Sequence, residues 1–321
     1  MMAFMDLKES KKLKEVLLLS AASFALSRLI IGNVLFTIPL LVLEQRFSSR
    51  KEALAPVGLL ALAIYVTEFF KARGALASAE GRVLLLISLY IPTVLLIASA
   101  VWIAYADRPL FKRYISASLF GIVASLVMVA WFSRPSPVLN RIDEVFLQTF
   151  TNLFGPDSSS AMSDVALQRL YRSAVMSTGA MLAPMCMVLV GFTAFLAISW
   201  NRRFDETFTL AVSRWKIPEY LLWPFLGSWT VVLVLLMAKA GYLALALALQ
   251  IALSLGVLYA VQGVAIIVHL LLKRNVVVKI SKLVTFLFLL AFVVPGLNVL
   301  VIFALPLLGV TENWFTYRSY E

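Results

Sequence analysis

Long apolar runs separated by short charged clusters set the pattern of this chain. Residues 53–70, 83–105, 115–133, 173–200, 218–238 and 242–272 are predominantly apolar. Each comes close to the roughly 20 residues a helix needs to cross about 30 Å of hydrocarbon. Six single spans are expected there. Two further runs are interrupted: Val16–Leu43 holds Gly32-Asn33 near its middle and Pro39 later, and Leu283–Leu308 is broken at Pro295-Gly296 and again at Pro306. Each reads either as one long tilted helix or as a hairpin of two short ones.

One sizeable stretch, 134–172, is hydrophilic, and its basic and acidic residues balance. Within it Ile142, Val145, Phe146, Thr149, Phe150, Leu153 and Phe154 recur at helical spacing. That predicts an amphipathic helix over 141–154 lying on the membrane face. Gly155-Pro156-Asp157 and the serines after it end that helix, and Ser163-Asp164 start another short one leading into the next span. A loop helix covering the bundle and a lid over an outward-facing cavity both fit this segment.

Composition excludes the soluble alternatives. Hydrophobic residues make up 62% of the 321 and charged residues 14%, with a mean hydropathy of +0.94. A soluble chain is roughly half apolar and about a quarter charged. The fold class expected is all-α, a polytopic membrane helix bundle of about 8–9 crossings with its first and last segments broken. Residues 1–14 read as a basic cytoplasmic N-terminus, 15–310 as a single helix bundle carrying the 134–172 insert, and 311–321 as a C-terminal tail. The apolar run after the N-terminus is too long for a cleaved signal and reads as a retained span.

Lys and Arg total 28 against 17 acidic residues, a net charge of +11. They cluster between apolar runs, as in loops facing anionic lipid, so the partner implied is a bilayer and not nucleic acid. Their placement orders the spans. If 16–43 crosses twice, one side holds Lys8, Lys11, Lys12, Lys14 and the basic loops 44–52, 106–114, 201–217 and 273–282. A single crossing swaps every later loop to the other side. The positive-inside bias therefore favours a first segment that doubles back and an N-terminus in the cytoplasm. The C-terminus, with Arg318, lies outside if the last run crosses once and returns to the cytoplasm if that run is a hairpin.

Ionisable and amide side chains inside apolar runs mark function or helix pairing. Here they are Arg28, Asn33, Glu68, Gln250, Gln262, His269 and Asn298. Arg28, Asn33 and Glu68 fall in the outer half; Arg28 and Glu68 would neutralise each other or hold the charged end of a solute, while Arg28 alone would snorkel to headgroups. With Gln262 they form the candidate ligand-binding set. Tyr259, Gln262 and His269 share one helix face, and Gly256 and Gly263 offer a strip for close helix approach. His269 suits either a helix interface or a proton relay. Met176, Met181, Met185, Cys186 and Met187 crowd one span, but the three adjacent residues point in different directions around a helix, so packing is expected and not Cu(I) binding. The single cysteine allows no intrachain disulfide. No phosphate-binding Gly-x-x-x-x-Gly-Lys loop, His-Glu-x-x-His or Gly-x-Ser-x-Gly is present, and no enzyme activity, metal or cofactor is expected.

Leu258–Arg274 (LYAVQGVAIIVHLLLKR), Gly309–Arg318 (GVTENWFTYR) and Lys216–Pro224 (KIPEYLLWP) resemble the YybS-like family of bacterial integral membrane proteins. That family is similar to the substrate-binding S components of energy-coupling-factor transporters and, more loosely, to the rod-shape protein MreD. S components dock on a coupling subunit through an Ala-x-x-x-Ala stripe in their first helix, and Ala21 and Ala25 stand at that spacing. The resemblance implies a small-solute-binding transport component of a bacterial cytoplasmic membrane that works with a separate coupling subunit. The alternative is a non-transporting scaffold whose loops recruit protein partners.

Overall fold

The structure is a computed structural model that describes all residues except 1, 30–31, 48, 155–163, 202–205, 275–278, 294–296 and 319–321. Among the described residues it is all-helical: α1 (Met2–Leu26), α2 (Thr37–Leu43), α3 (Arg50–Ala72), α4 (Ala79–Ala104), α5 (Leu110–Phe132), α6 (Pro137–Phe154), α7 (Asp164–Asn201), α8 (Glu206–Ser213), α9 (Leu222–Met237), α10 (Tyr242–Lys273), α11 (Ile280–Val293) and α12 (Leu297–Thr311). Six helices are long and apolar enough to cross a membrane: Arg50–Ala72, Ala79–Ala104, Leu110–Phe132, Val165–Asn201, Glu219–Met237 and Tyr242–Lys273. They match the six uninterrupted runs of the sequence.

The first apolar segment is broken and folds back. Glu15 in α1 and Arg46 just past α2 form an ion pair at 3.2 Å. A straight helix over that stretch would hold them roughly 45 Å apart. Helix α1 stops at Leu26, and the chain turns through a short 3₁₀ element at Gly32–Val34. A side chain at position 32 would overlap the Leu26 carbonyl, so the close approach that makes the turn requires glycine. Pro39 falls in the first turn of α2, where its missing N–H costs no helix bond. Leu40, Leu41, Val42 and Leu43 of α2 are all buried, the first three packing with Leu60, Leu95, Trp102, Met187 and Val190 in the main apolar core.

The last segment is likewise two helices, α11 of 14 and α12 of 15 residues. Each is about 22 Å long, short of a full crossing. Gly263 of α10 and Gly309 of α12 let the backbones touch: a methyl on Gly263 would strike the Leu305 carbonyl, and one on Gly309 the Tyr259 carbonyl. Gly256 has open space around the same position, so only one member of the Gly256–Gly263 strip serves close approach.

The tail after α12 comes to the end of the bundle that holds the first hairpin's open ends. Arg318 donates to the carbonyls of Ser213 (2.7 Å) and Trp215 (2.8 Å). The Trp215 ring lies 5.6 Å from Phe111 and 6.2 Å from Tyr114 at the start of α5. The neighbouring Arg113 pairs with Glu44, two residues before Arg46. Glu15, Arg46, Arg113, Trp215 and Arg318 therefore share one end, called here the basic end. Grouping Arg318 with the opposite loops, which a single crossing of the last run would require, does not hold.

Helix α6 starts at Pro137, four residues before the expected 141. It buries Leu139 and Ile142 and leaves Val145, Phe146, Leu153 and Phe154 exposed, as a helix lying on a membrane face does. The Gly155-Pro156-Asp157 stop and Ser163 lie outside the described residues. No separate short helix starts at Asp164; α7 runs unbroken for 38 residues. At ~57 Å it is far longer than the hydrocarbon layer, so its first turns stand outside and meet α6, where the Tyr171 hydroxyl lies 2.5 Å from the Asp143 carboxylate.

Candidate functional site

The turn of the first hairpin places a cation at the opposite end. Arg28 Nη1 lies 2.5 Å from Glu68 Oε1, and Nη2 donates to the Thr67 hydroxyl. The guanidinium sits 4.7 Å over the Phe24 ring. Thr67 accepts from Arg28 because its own proton goes back to the Ala63 carbonyl at 2.6 Å. Glu68 also receives Lys71 Nζ at 3.3 Å. Along α3, Glu68 stands ~27 Å from Arg50 at the basic end, so the pair occupies the other end of the bundle. Both side chains are largely buried and keep about a fifth of their surface exposed, 22% and 23%.

Not every polar group at this hairpin is satisfied. Arg28 Nε and the hydroxyls of Ser23 in α1 and Thr37 in α2 are buried without a hydrogen-bond partner among the described residues. Buried polar atoms are nearly always partnered, and these three exceptions fall on one broken segment. Asn33 is half-buried in the same turn, its backbone N–H donating to the Leu29 carbonyl at 2.8 Å.

Gln262 is not part of this group. It is 1% exposed near the basic end, accepting from the Ile217 N–H at 2.9 Å and donating to the Gly309 carbonyl (3.1 Å) and to Glu312 (2.8 Å). Glu312 is gripped by both Arg318 Nε and Nη2, a buried bidentate pair. The structure thus brings Arg28 and Glu68 together, sets Asn33 in the adjoining turn and assigns Gln262 to a clasp that holds the tail on the 213–217 strand of chain. Tyr259, on the Gln262 face, stacks 4.9 Å from Phe225 in the core.

Ala21 and Ala25 are both exposed on α1. They face out of the bundle. Met181 and Met185 are also exposed, whereas Cys186 and Met187 are buried, so the sulfur atoms diverge around α7. No group of three metal-ligating side chains occurs among the described residues. The side chain of Asn298 lies outside them.

A second buried ion pair escaped the sequence reading. Arg113 Nη2 meets Glu44, its Nε donates to the Trp102 carbonyl at 2.6 Å, and its guanidinium covers the Trp102 ring at 4.2 Å. Burial pushes the Glu44 carboxyl above its ordinary value, and the Arg113 charge pulls against that rise. The pair locks the hairpin's exit from α2 onto α4 and α5. Comparison with protein-family models, curated proteins and solved structures finds no match to the chain.

Proposed function

We propose that the chain is a multi-pass membrane protein that binds a small solute where its first segment turns, as the binding component of a transport system. The single observation that supports this most is the Arg28–Glu68 pair at the break of a discontinuous segment. Broken helices expose backbone groups inside the membrane, and charged side chains beside them mark solute paths. Arg28 Nε and the hydroxyls of Ser23 and Thr37, buried without a hydrogen-bond partner among the described residues, are further donors along the same segment. On this reading the first segment goes out through α1 and returns through the turn and the short α2, the six long helices make the full crossings, and α11–α12 form a hairpin that returns the tail. The basic end then faces the cytoplasm of a bacterial cell, N-terminus included. The likeness to the YybS-like family and to S components agrees, with Ala21 and Ala25 free to meet a coupling subunit.

The test is mass spectrometry of small molecules released from gently purified protein, followed by thermal unfolding with the compound found. Arg28→Ala and Glu68→Ala should each abolish its stabilising shift while the unliganded protein still folds. Undiminished shifts in both variants would defeat the reading.

A scaffold role is the second reading. It is favoured by α9, of which only Val232 is buried, leaving Leu233, Val234 and Leu236 bare to lipid or to a partner helix. It predicts no retained small molecule and a membrane protein captured on that face.

A further inference from the structure

A cavity of about 410 Å³ opens at the end of the bundle away from Arg113, where the first turns of α4 meet the last turn of α5 and the start of α6. Its charged lining is Arg82 of α4 and Arg134 after α5, with no carboxylate among the lining residues. Glu80, two residues before Arg82, pairs with Arg141 of α6 at 3.2 Å and lies within the field of Arg82 as well. Arg134 makes no ion pair among the described residues, and Arg82 donates only a long bond, 3.4 Å, to the Leu76 carbonyl. The positive end of the α4 dipole adds to both guanidinium charges. The site therefore attracts anions.

Apart from Ser136 the rest of the wall is apolar, with Val83 and Leu86 from α4, Trp131 from α5 and Leu139 from α6. Leu86 is exposed on this flank of α4, and Val127, one turn before Trp131, is exposed on α5. The cavity thus joins a cationic floor to the lipid-facing sides of two spans, at the depth where tryptophan settles at a membrane interface. A soluble anion would use only the floor. An amphiphile uses both.

We propose that this cavity binds the phosphate headgroup of an anionic phospholipid, clamped between Arg82 and Arg134, with acyl chains running past Leu86 and Trp131. Guanidinium groups grip phosphate through paired N–H donors, and two cations without an acid favour an anionic lipid over a zwitterionic one. The site is separate from the Arg28–Glu68 turn and does not depend on the solute reading.

The experiment is native mass spectrometry and thermal unfolding of the full chain in detergent, titrated with phosphatidylglycerol, phosphatidylcholine or inorganic phosphate. Phosphatidylglycerol should bind about tenfold more tightly than phosphatidylcholine, and Arg82→Gln or Arg134→Gln should each remove about that factor. Arg169→Gln, which deletes an exposed charge at the start of α7 outside the cavity, should leave the preference intact. Unchanged phosphatidylcholine binding in the cavity variants reports that they are folded. Equal binding of the two lipids, a preference that survives the double variant, or an equal loss in Arg169→Gln would overturn the proposal. Inorganic phosphate that stabilises as well as phosphatidylglycerol would assign the floor to a soluble anion and overturn it too.

Discussion

Glu15 and Arg46 meet at 3.2 Å across the open ends of the first apolar segment. Both side chains are about half exposed, 42% and 54%, so the pair is a weak bond and an informative one. Everything between them must leave one end of the bundle and come back. The burial of α2, the Glu44–Arg113 lock and the placement of Arg28 beside Glu68 all follow from that return.

Replacing both residues with cysteine in a Cys186→Ala background should give a chain that a short bismaleimide closes on itself. Electrophoretic mobility before and after proteolysis between the two sites reads the closure. A segment running straight would give only singly labelled chains.

The α10–α12 contact rests on backbone touching backbone. Gly263→Ala and Gly309→Ala should each cost about 1–3 kcal/mol, because a methyl at either position meets a carbonyl that cannot swing aside. Gly256→Ala, with open space around it, should be close to neutral. Thermal unfolding in detergent separates the three. Equal losses at Gly256 and Gly263 would count against the helix register described.

Arg318 and Glu312 are buried together, at 2% and 6% side-chain exposure. Arg318→Ala leaves the Glu312 carboxylate in the interior with Gln262 alone, a loss of about 3–5 kcal/mol. Gln262→Leu strands the Ile217 N–H and should cost about 1–3 kcal/mol. Replacing Glu312 and Arg318 together with leucine and methionine should recover most of the larger loss, since no lone charge then remains. A melting point indifferent to Arg318→Ala would show that the tail is not docked.

Ala21 and Ala25 point away from the bundle. Ala21→Leu and Ala25→Leu should leave the melting point of the isolated chain unchanged. If a coupling subunit docks there, the same variants should stop its co-purification. A fall in intrinsic stability would mean that this face is already packed.

Much of the architecture was legible from hydropathy, because each of the six long helices coincides with an uninterrupted apolar run. The first hairpin was legible from charge: five basic clusters fall on one side only if Val16–Leu43 turns, and Gly32 marks where. The final hairpin was not, since Arg318 alone is too little charge to weigh its two placements. Depth was the other failure. Helix α10 runs for 32 residues, more than a bilayer needs, so position along it did not fix Gln262 to either end. The Glu44–Arg113 pair joins separate elements and the Glu312–Arg318 pair closes within the irregular tail, and neither kind of pairing leaves a periodic trace in a sequence. The seven-residue spacing of Gly256 and Gly263 gave a shared face but not which of them another backbone would reach.

The most direct test is sidedness at the exit of α2. With Cys186 replaced by alanine, Ser49→Cys and Arg73→Cys are to be labelled on intact bacterial cells by a membrane-impermeant maleimide. A doubled-back first segment predicts that Arg73→Cys reacts and Ser49→Cys stays protected until the cells are opened. Ready labelling of Ser49→Cys from outside would contradict the hairpin and remove the solute site at Arg28 and Glu68 with it.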